Sequence, residues 1–305
     1  MKMSRFFAGF LLLTVPVFAQ TQTQSDLKTT VELSQGYLRD NLKITVSRPG
    51  NPEKGKDQFK DVNVYTTRLG FKIEKCDIFL KGYAGYGNVC DGKFQSTEHF
   101  SGRTWFGGRF EDHIKKKSHL TGNYTADFVL NLGKNFHLPH GWSVAPQIGY
   151  GVYIEKFKTS QGREHTIGKD EFGKHHHSRR GTREDIDATW YSPQIGLQAK
   201  KTFTETLSAM ACYQFLFPLN YDAKGHHNIK NPRKTKYDQE NKAYKSFGNI
   251  ASLGLEWKFL KGWSLKPEIE LMKFYAKGGD SNHHFRLRKA TRSAFEARLV
   301  LGYSF

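Results

Sequence analysis

The last thirteen residues, Ser293 to Phe305, restrict the possible folds more than any other stretch of this 305-residue chain. Phe295, Ala297, Leu299, Leu301, Tyr303 and Phe305 form one apolar row, while Ala294, Glu296, Arg298, Val300, Gly302 and Ser304 are small or charged. A period of two puts the rows on opposite faces of a strand. The chain ends on an aromatic residue, with another aromatic two residues earlier. Similar alternation recurs along the chain, and after residue 19 no apolar run is long enough for a helical membrane span. The mean hydropathy of −0.64 suits a protein in water. It equally suits a barrel in lipid, where only alternate residues meet hydrocarbon.

The N-terminus reads as an export signal. Lys2 and Arg5 precede an apolar stretch from Phe6 to Val17, and Val17-Phe18-Ala19 is a small-x-small cleavage site. Residues 1–19 are therefore expected to be a Sec signal peptide, removed to leave 20–305 as one domain. The formal charge of +18 falls to +16 once Lys2 and Arg5 leave with the signal. That excess favours anionic partners. For an exported protein these are lipopolysaccharide, anionic solutes or polyanions rather than nucleic acid. Cys76, Cys90 and Cys212 have no zinc-type spacing. Cys76 and Cys90 fall near opposite ends of one strand, roughly 40 Å apart, too far to bridge. No cofactor is expected.

Taken in order, the chain counts to ten strands. In the first, Leu27, Thr29, Val31 and Leu33 alternate with polar residues; Leu38, Leu42, Ile44 and Val46 resume the row after a slip near Gly36. Tyr65 to Ile73 supplies a second lipid face, turning at Glu74-Lys75 into a third strand through Tyr86. Further short turns fall at 137–141, 203–205 and 260–262, and long loops at 48–60, 88–118, 156–187, 222–245 and 277–292. The 88–118 loop has enough alternation to extend its strands as a β-ribbon. Short turns alternating with long loops describe a transmembrane antiparallel up-and-down β-barrel, with periplasmic turns and extracellular loops. Such a barrel pairs every backbone group within lipid. A twelve-stranded alternative treats Phe94 to Arg109 as another membrane pair.

The closing aromatic resembles the ends of bacterial outer-membrane β-barrels, and the element order resembles the omptins, ten-stranded outer-membrane proteases. Ser192-Pro193-Gln194-Ile195-Gly196-Leu197, Gln147-Ile148-Gly149-Tyr150 and Gly87-Asn88-Val89-Cys90-Asp91 carry the local likeness. The resemblance implies an endopeptidase in which paired carboxylates and an Asp-His pair activate water. On this chain it maps to Asp91, Asp222 and His227. Lys93 and Gly225 stand where the second acid and the aspartate belong, and Gly151-Val152-Tyr153-Ile154 lacks the family's Glu and Arg. The match carries a scaffold further than a peptidase, since function lives in the site.

Three other constellations remain. Arg103, Arg109, Lys115, Lys116, Lys117, Arg179, Arg180, Arg233, Lys234, Lys236, Arg286 and Arg288 crowd the loops, where a basic collar would hold anions. Histidines at 165, 175–177, 226–227 and 283–284 could meet as a metal site, but no carboxylate or cysteine sits at helpful spacing, so a solvated polar surface is the reading adopted. Charged residues including Arg39, Lys43, Arg68, Lys81, Lys266, Glu268, Glu270, Glu296 and Arg298 are read as facing the lumen, lining a channel or pairing across it. The expectation is a non-enzymatic outer-membrane protein, porin-like or surface-binding, with basic loops that bind or admit anions. An omptin-like peptidase and an adhesin stand behind it.

Overall fold

A computed structural model describes residues 27–47, 54–103, 109–170, 173–180, 183–228, 237–243, 245–278 and 286–305. The signal segment lies outside them. The strands are β1 (Lys28–Ser47), β2 (Lys54–Lys75), β3 (Ile78–Arg103), β4 (Arg109–Lys134) and β5 (Phe136–Leu138). After a 3₁₀ turn come β6 (Trp142–Thr159), β7 (Arg163–Asp170), β8 (Gly173–Arg180), β9 (Arg183–Thr202) and β10 (Leu207–Leu216). The chain finishes with β11 (Asn220–Asn228), β12 (Tyr237–Ala243), β13 (Lys245–Leu260), β14 (Trp263–Lys277) and β15 (Arg286–Ser304).

Each strand pairs antiparallel with its neighbours, and β15 pairs back onto β1 to close the ring. Phe305 N donates to Thr29 O at 3.0 Å, and Thr29 N donates to Phe305 O at 3.3 Å, so the terminal aromatic completes the seam. β10 and β11 are one wall strand interrupted at Phe217-Pro218-Leu219, and β12 with β13 another. The ring then has ten strands, and the twelve-stranded alternative falls away. β3 and β4 pair from Ile78↔Lys134 to Asn88↔Tyr124 and, after a short break, resume in the same register from Lys93↔His119 to Arg103↔Arg109, so the extra segment prolongs the wall upward instead of widening it. The hairpin β7–β8 adds to that ribbon through β4.

The turns hold the register. The hairpin after β2 turns at Cys76-Asp77, two residues later than expected, with φ of 50° and 65°. Positive φ at both central residues matches the right-handed twist of the flanking strands. Outward-facing Leu69, Phe71, Phe128, Leu130, Ile195, Leu197, Leu253, Leu271 and Leu299 form the apolar belt. Trp142, Trp257, Trp263, Tyr303 and Phe305 rim its turn side, and Tyr37, Tyr65, Tyr86 and Tyr213 its loop side. Aromatic rims of this kind mark the two interfaces of a membrane barrel.

Above the loop-side rim the apolar pattern changes face. Along β1 the expected slip at Gly36 is absent, and parity runs straight through. Leu38, Asp40, Leu42 and Ile44 are therefore buried inside, while Tyr37, Arg39 and Lys43 point outward. Trp190, Phe157, Phe274, Tyr221 and Leu287 likewise occupy the inward rows, although lipid-facing residues lower on their strands occupy the outward ones. Within lipid the barrel is apolar outside; above it, it is apolar inside, as a water-soluble sheet protein would be. Arg39 and Lys43 are corrected from lumen to outer wall. A Cβ at Gly36 would lie 2.8 Å from Thr66 Oγ1 and 2.9 Å from Arg298 Cβ, so glycine here serves tight wall packing, not a slip.

Candidate functional site

The lumen has three storeys. Nearest the turns is a polar cavity of about 950 Å³. Above it lies an ionic belt. Arg68 reaches Asp127 and Glu296 at 2.7 Å each and Glu270 at 3.4 Å. Arg298 meets Glu270 and Glu296 at 3.1 Å and also pairs with Glu268, which Lys266 holds at 3.1 Å. Thr66 Oγ1 donates to Glu296 at 2.6 Å. Gly85 makes room for this, because a Cβ there would overlap the Asp127 carboxylate. Of the charges read as lumenal in the sequence, Arg68, Lys266, Glu268, Glu270, Glu296 and Arg298 pair across this belt, while Lys81 lines the cavity beneath it.

Higher still, the Arg292 guanidinium lies between Asp40 at 2.9 Å and Glu155 at 2.7 Å, and Trp190 Nε1 donates to Glu155 at 3.1 Å. All four residues are buried. This is the nearest approach to a carboxylate pair at the mouth, but it is sealed beneath the third storey. There the rings of Trp190 and Tyr221 lie 4.3 Å apart, Tyr153 and Phe274 5.0 Å, and Phe59 and Phe157 5.3 Å. Only about 30 Å³ of further space lies among Phe59, Phe94, Ile186 and Ala223. Asp40 and Glu155 are each 0% exposed among the described residues, which leaves a peptide no surface of theirs to meet.

Of the residues matched to omptin chemistry, Asp91 and Asp222 stand on strands that are not neighbours, β3 and β11. Asp91 is exposed on β3, while its strand neighbours Gly92 and Phe94 are buried, and its carboxylate accepts from Gly92 N at 2.7 Å. Asp222 stands on β11 between buried Tyr221 and Ala223 and so takes the opposite face from the core. The side chain of His227 lies outside the described residues. Among the described residues no three of His, Cys, Asp and Glu converge as a metal site.

The basic collar divides. Lys115 and Lys117 are exposed on β4; facing them across the strands are His165 and Arg163 of β7, also exposed. Lys116 points the other way, to Glu184 at 3.0 Å and Glu98 at 3.4 Å. Burial works against its charge, but Glu184, Glu98 and Glu164 outweigh burial and hold it protonated beyond the usual lysine range. Lys116 is therefore removed from the exposed basic face. Arg288 is exposed and donates from Nε to Ser47 Oγ at 2.7 Å. The side chains of Arg103, Arg109, Arg179, Arg180 and Arg286 lie outside the described residues, as do Arg233, Lys234 and Lys236 altogether.

A second basic surface escaped the sequence reading. Lys43, Lys56, Lys60 and Lys289 share the outer wall of β15–β1–β2, above the tyrosines Tyr37 and Tyr65. The charge of Lys56, then partial burial and the charges of Lys289 and Lys60, push the Lys43 ammonium below the usual lysine range. Nearby, the Arg39–Asp61 pair at 2.5 Å holds Asp61 below the carboxylate range, chiefly through their hydrogen bond. Carrying the parity of Leu27, Val31 and Leu33 unbroken through Gly36 would have placed Lys43 on this wall.

A closed antiparallel ring, an outward apolar belt and two aromatic rims define a bacterial outer-membrane β-barrel protein. A family model describes the particular group: residues 32–298 match the Protochlamydia outer membrane protein family, Pom, and the chain belongs to it. No curated protein sequence matches the chain. Among solved structures it is similar to the outer membrane protease OmpT of Escherichia coli, with TM-score 0.72 and 14% identity over 94% of this chain and 99% of that one. That likeness concerns the fold. The toluene transporter TodX of Pseudomonas putida (TM-score 0.32, 8% identity, 92% and 90% covered) and the translocator domain of NalP from Neisseria meningitidis (0.32, 12%, 91% and 88%) also match, and nothing about this chain follows from them.

Proposed function

We propose that this protein is a non-enzymatic surface protein of the outer membrane whose extracellular half binds polyanions. It would reach the membrane through the Sec pathway after losing residues 1–19. One observation carries the reading: apolar residues fill the loop half of the lumen, and in that half Lys43, Lys56, Lys60, Lys115, Lys117, Arg163 and Lys289 stand on the outer walls. Lys115, Lys117 and Arg163 form the upper face, for acidic or phosphorylated polysaccharides. Lys43, Lys56, Lys60 and Lys289 form the lower one, at the height where lipopolysaccharide phosphates lie beside the barrel. Clustered ammonium and guanidinium groups attract such chains by releasing their counterions. The same filling argues against passive admission of solutes, and the separated Asp91 and Asp222 argue against a peptidase.

The test is binding of heparin and of purified lipopolysaccharide to the refolded protein across a salt series. Wild type should bind at 50 mM salt and weaken steeply toward 500 mM. Lys115→Glu/Lys117→Glu/Arg163→Glu should lower heparin affinity at least tenfold and flatten the logarithmic salt slope by about three, roughly one per cation. Salt-independent binding, or a triple variant indistinguishable from wild type, would overturn the proposal.

A further inference from the structure

The storey nearest the turns is a chamber rather than a plug, and it faces away from the polyanion surface. Its volume of about 950 Å³ is in the range of small-molecule sites. Nine lysines and arginines and five glutamates line it, a net +4. Most cations within it have carboxylate partners: Lys72 with Glu74 at 2.5 Å, Lys200 with Glu256 at 2.5 Å, and Lys266 with Glu268 and Glu32. Lys81 differs. Its Nζ donates to the amide oxygen of Gln198 at 2.6 Å and lies 5.5 Å from the Phe79 ring, with no carboxylate at ion-pair distance among the described residues. An enclosed ammonium without a counter-charge is unfavourable, and an anion entering the chamber would relieve it.

We infer that the chamber is an anion-binding site seated on Lys81, which takes small oxyanions, phosphates or carboxylates, from the turn side. Amide groups around the seat suit that ligand. Gln198 already meets Lys81, while Asn131 lines the same chamber, its Oδ1 accepting from Gln194 and Gln214 and its Nδ2 supplying a further donor. The ionic belt roofs the chamber, so a ligand enters and leaves on one side without crossing the membrane.

Cys212 reports on the site, because it lines the chamber and is register-paired with Gln198. The protein to use is Cys76→Ser/Cys90→Ser, refolded in lipid, leaving Cys212 as the one thiol. It is labelled with a sulfonate-bearing and a trimethylammonium-bearing methanethiosulfonate, each rate normalised to that of a free thiol. At 10 mM salt the sulfonate should react about tenfold faster, as expected for a focused positive field, and less so at 500 mM. Citrate and inorganic phosphate should slow labelling saturably, and their relative potency separates carboxylate from phosphate preference. Lys81→Gln should weaken the charge preference and abolish the anion protection, and Lys81→Arg should keep both. Charge-blind labelling, no labelling by either reagent, anion protection that survives Lys81→Gln, or no protection by either anion would each overturn the inference. If Lys81→Gln does not refold, the salt dependence and anion protection of the parent protein decide alone.

Discussion

Arg292 is one guanidinium facing two carboxylates beneath an aromatic lid. Removing one partner of a buried ion pair leaves the other charge without compensation, typically at a cost of 3–5 kcal/mol. Arg292→Met should therefore lower the unfolding free energy by about 3 kcal/mol or more, measured by urea titration in lipid vesicles with tryptophan emission. Arg292→Met/Asp40→Asn/Glu155→Gln should recover much of that loss, because it removes the charges together. Lys43 makes the opposite kind of residue. Its pKa is depressed in the folded protein, so its charge opposes folding at neutral pH, and the opposition vanishes as pH rises through the depressed value. The urea midpoint of wild type relative to Lys43→Met should accordingly rise between pH 7 and pH 10. A difference that stays flat would show that the lysines do not sense one another.

At the scale of elements, the β3–β4–β7 ribbon carries a basic face on one side and the Lys116 ion pairs on the other. The Lys116 pKa is raised by folding, so its contribution is fully present below the ordinary lysine range and is lost as pH climbs through the raised value. Lys116→Met should destabilise the ribbon by about 2 kcal/mol, discounted for partial exposure. Trypsin should then cut near Lys115 and Lys117 at neutral pH while the membrane ring stays intact on gels. The strand pattern and the closing seam were legible in the sequence, because lipid imposes strict alternation on Phe295 to Phe305 and Leu69 to Ile73. The upper half was less legible. Leu38 and Leu42 are apolar for a different reason than Val31, and alternation alone does not say which solvent faces which row. Lys116 and Lys117 look alike in sequence, yet one residue of parity sends them to opposite faces.

For the whole molecule the filled loop half has a direct electrical consequence. Refolded wild-type protein should give no steady conductance in planar bilayers. Tyr153→Ala/Phe274→Ala, which thins the lid above the ionic belt, should admit flickering openings if it refolds. Steady openings in wild type would return the porin reading to first place. The cysteines gave no hint of the turn-side chamber, nor did composition. Its walls come from residues far apart in sequence, and only barrel closure brings Lys81, Gln198 and Cys212 together.

The change of apolar face along single strands also bears on how the protein is made. A sheet assembled in water could hide the lower apolar row by curling one way, but it would then expose the upper row, and the reverse curl exposes the lower. No partly closed sheet shelters both at once. During transit to the membrane such a chain would present adhesive surface on either side, the condition in which intermediates aggregate. Safe passage therefore requires ring closure and bilayer entry to bury both rows together.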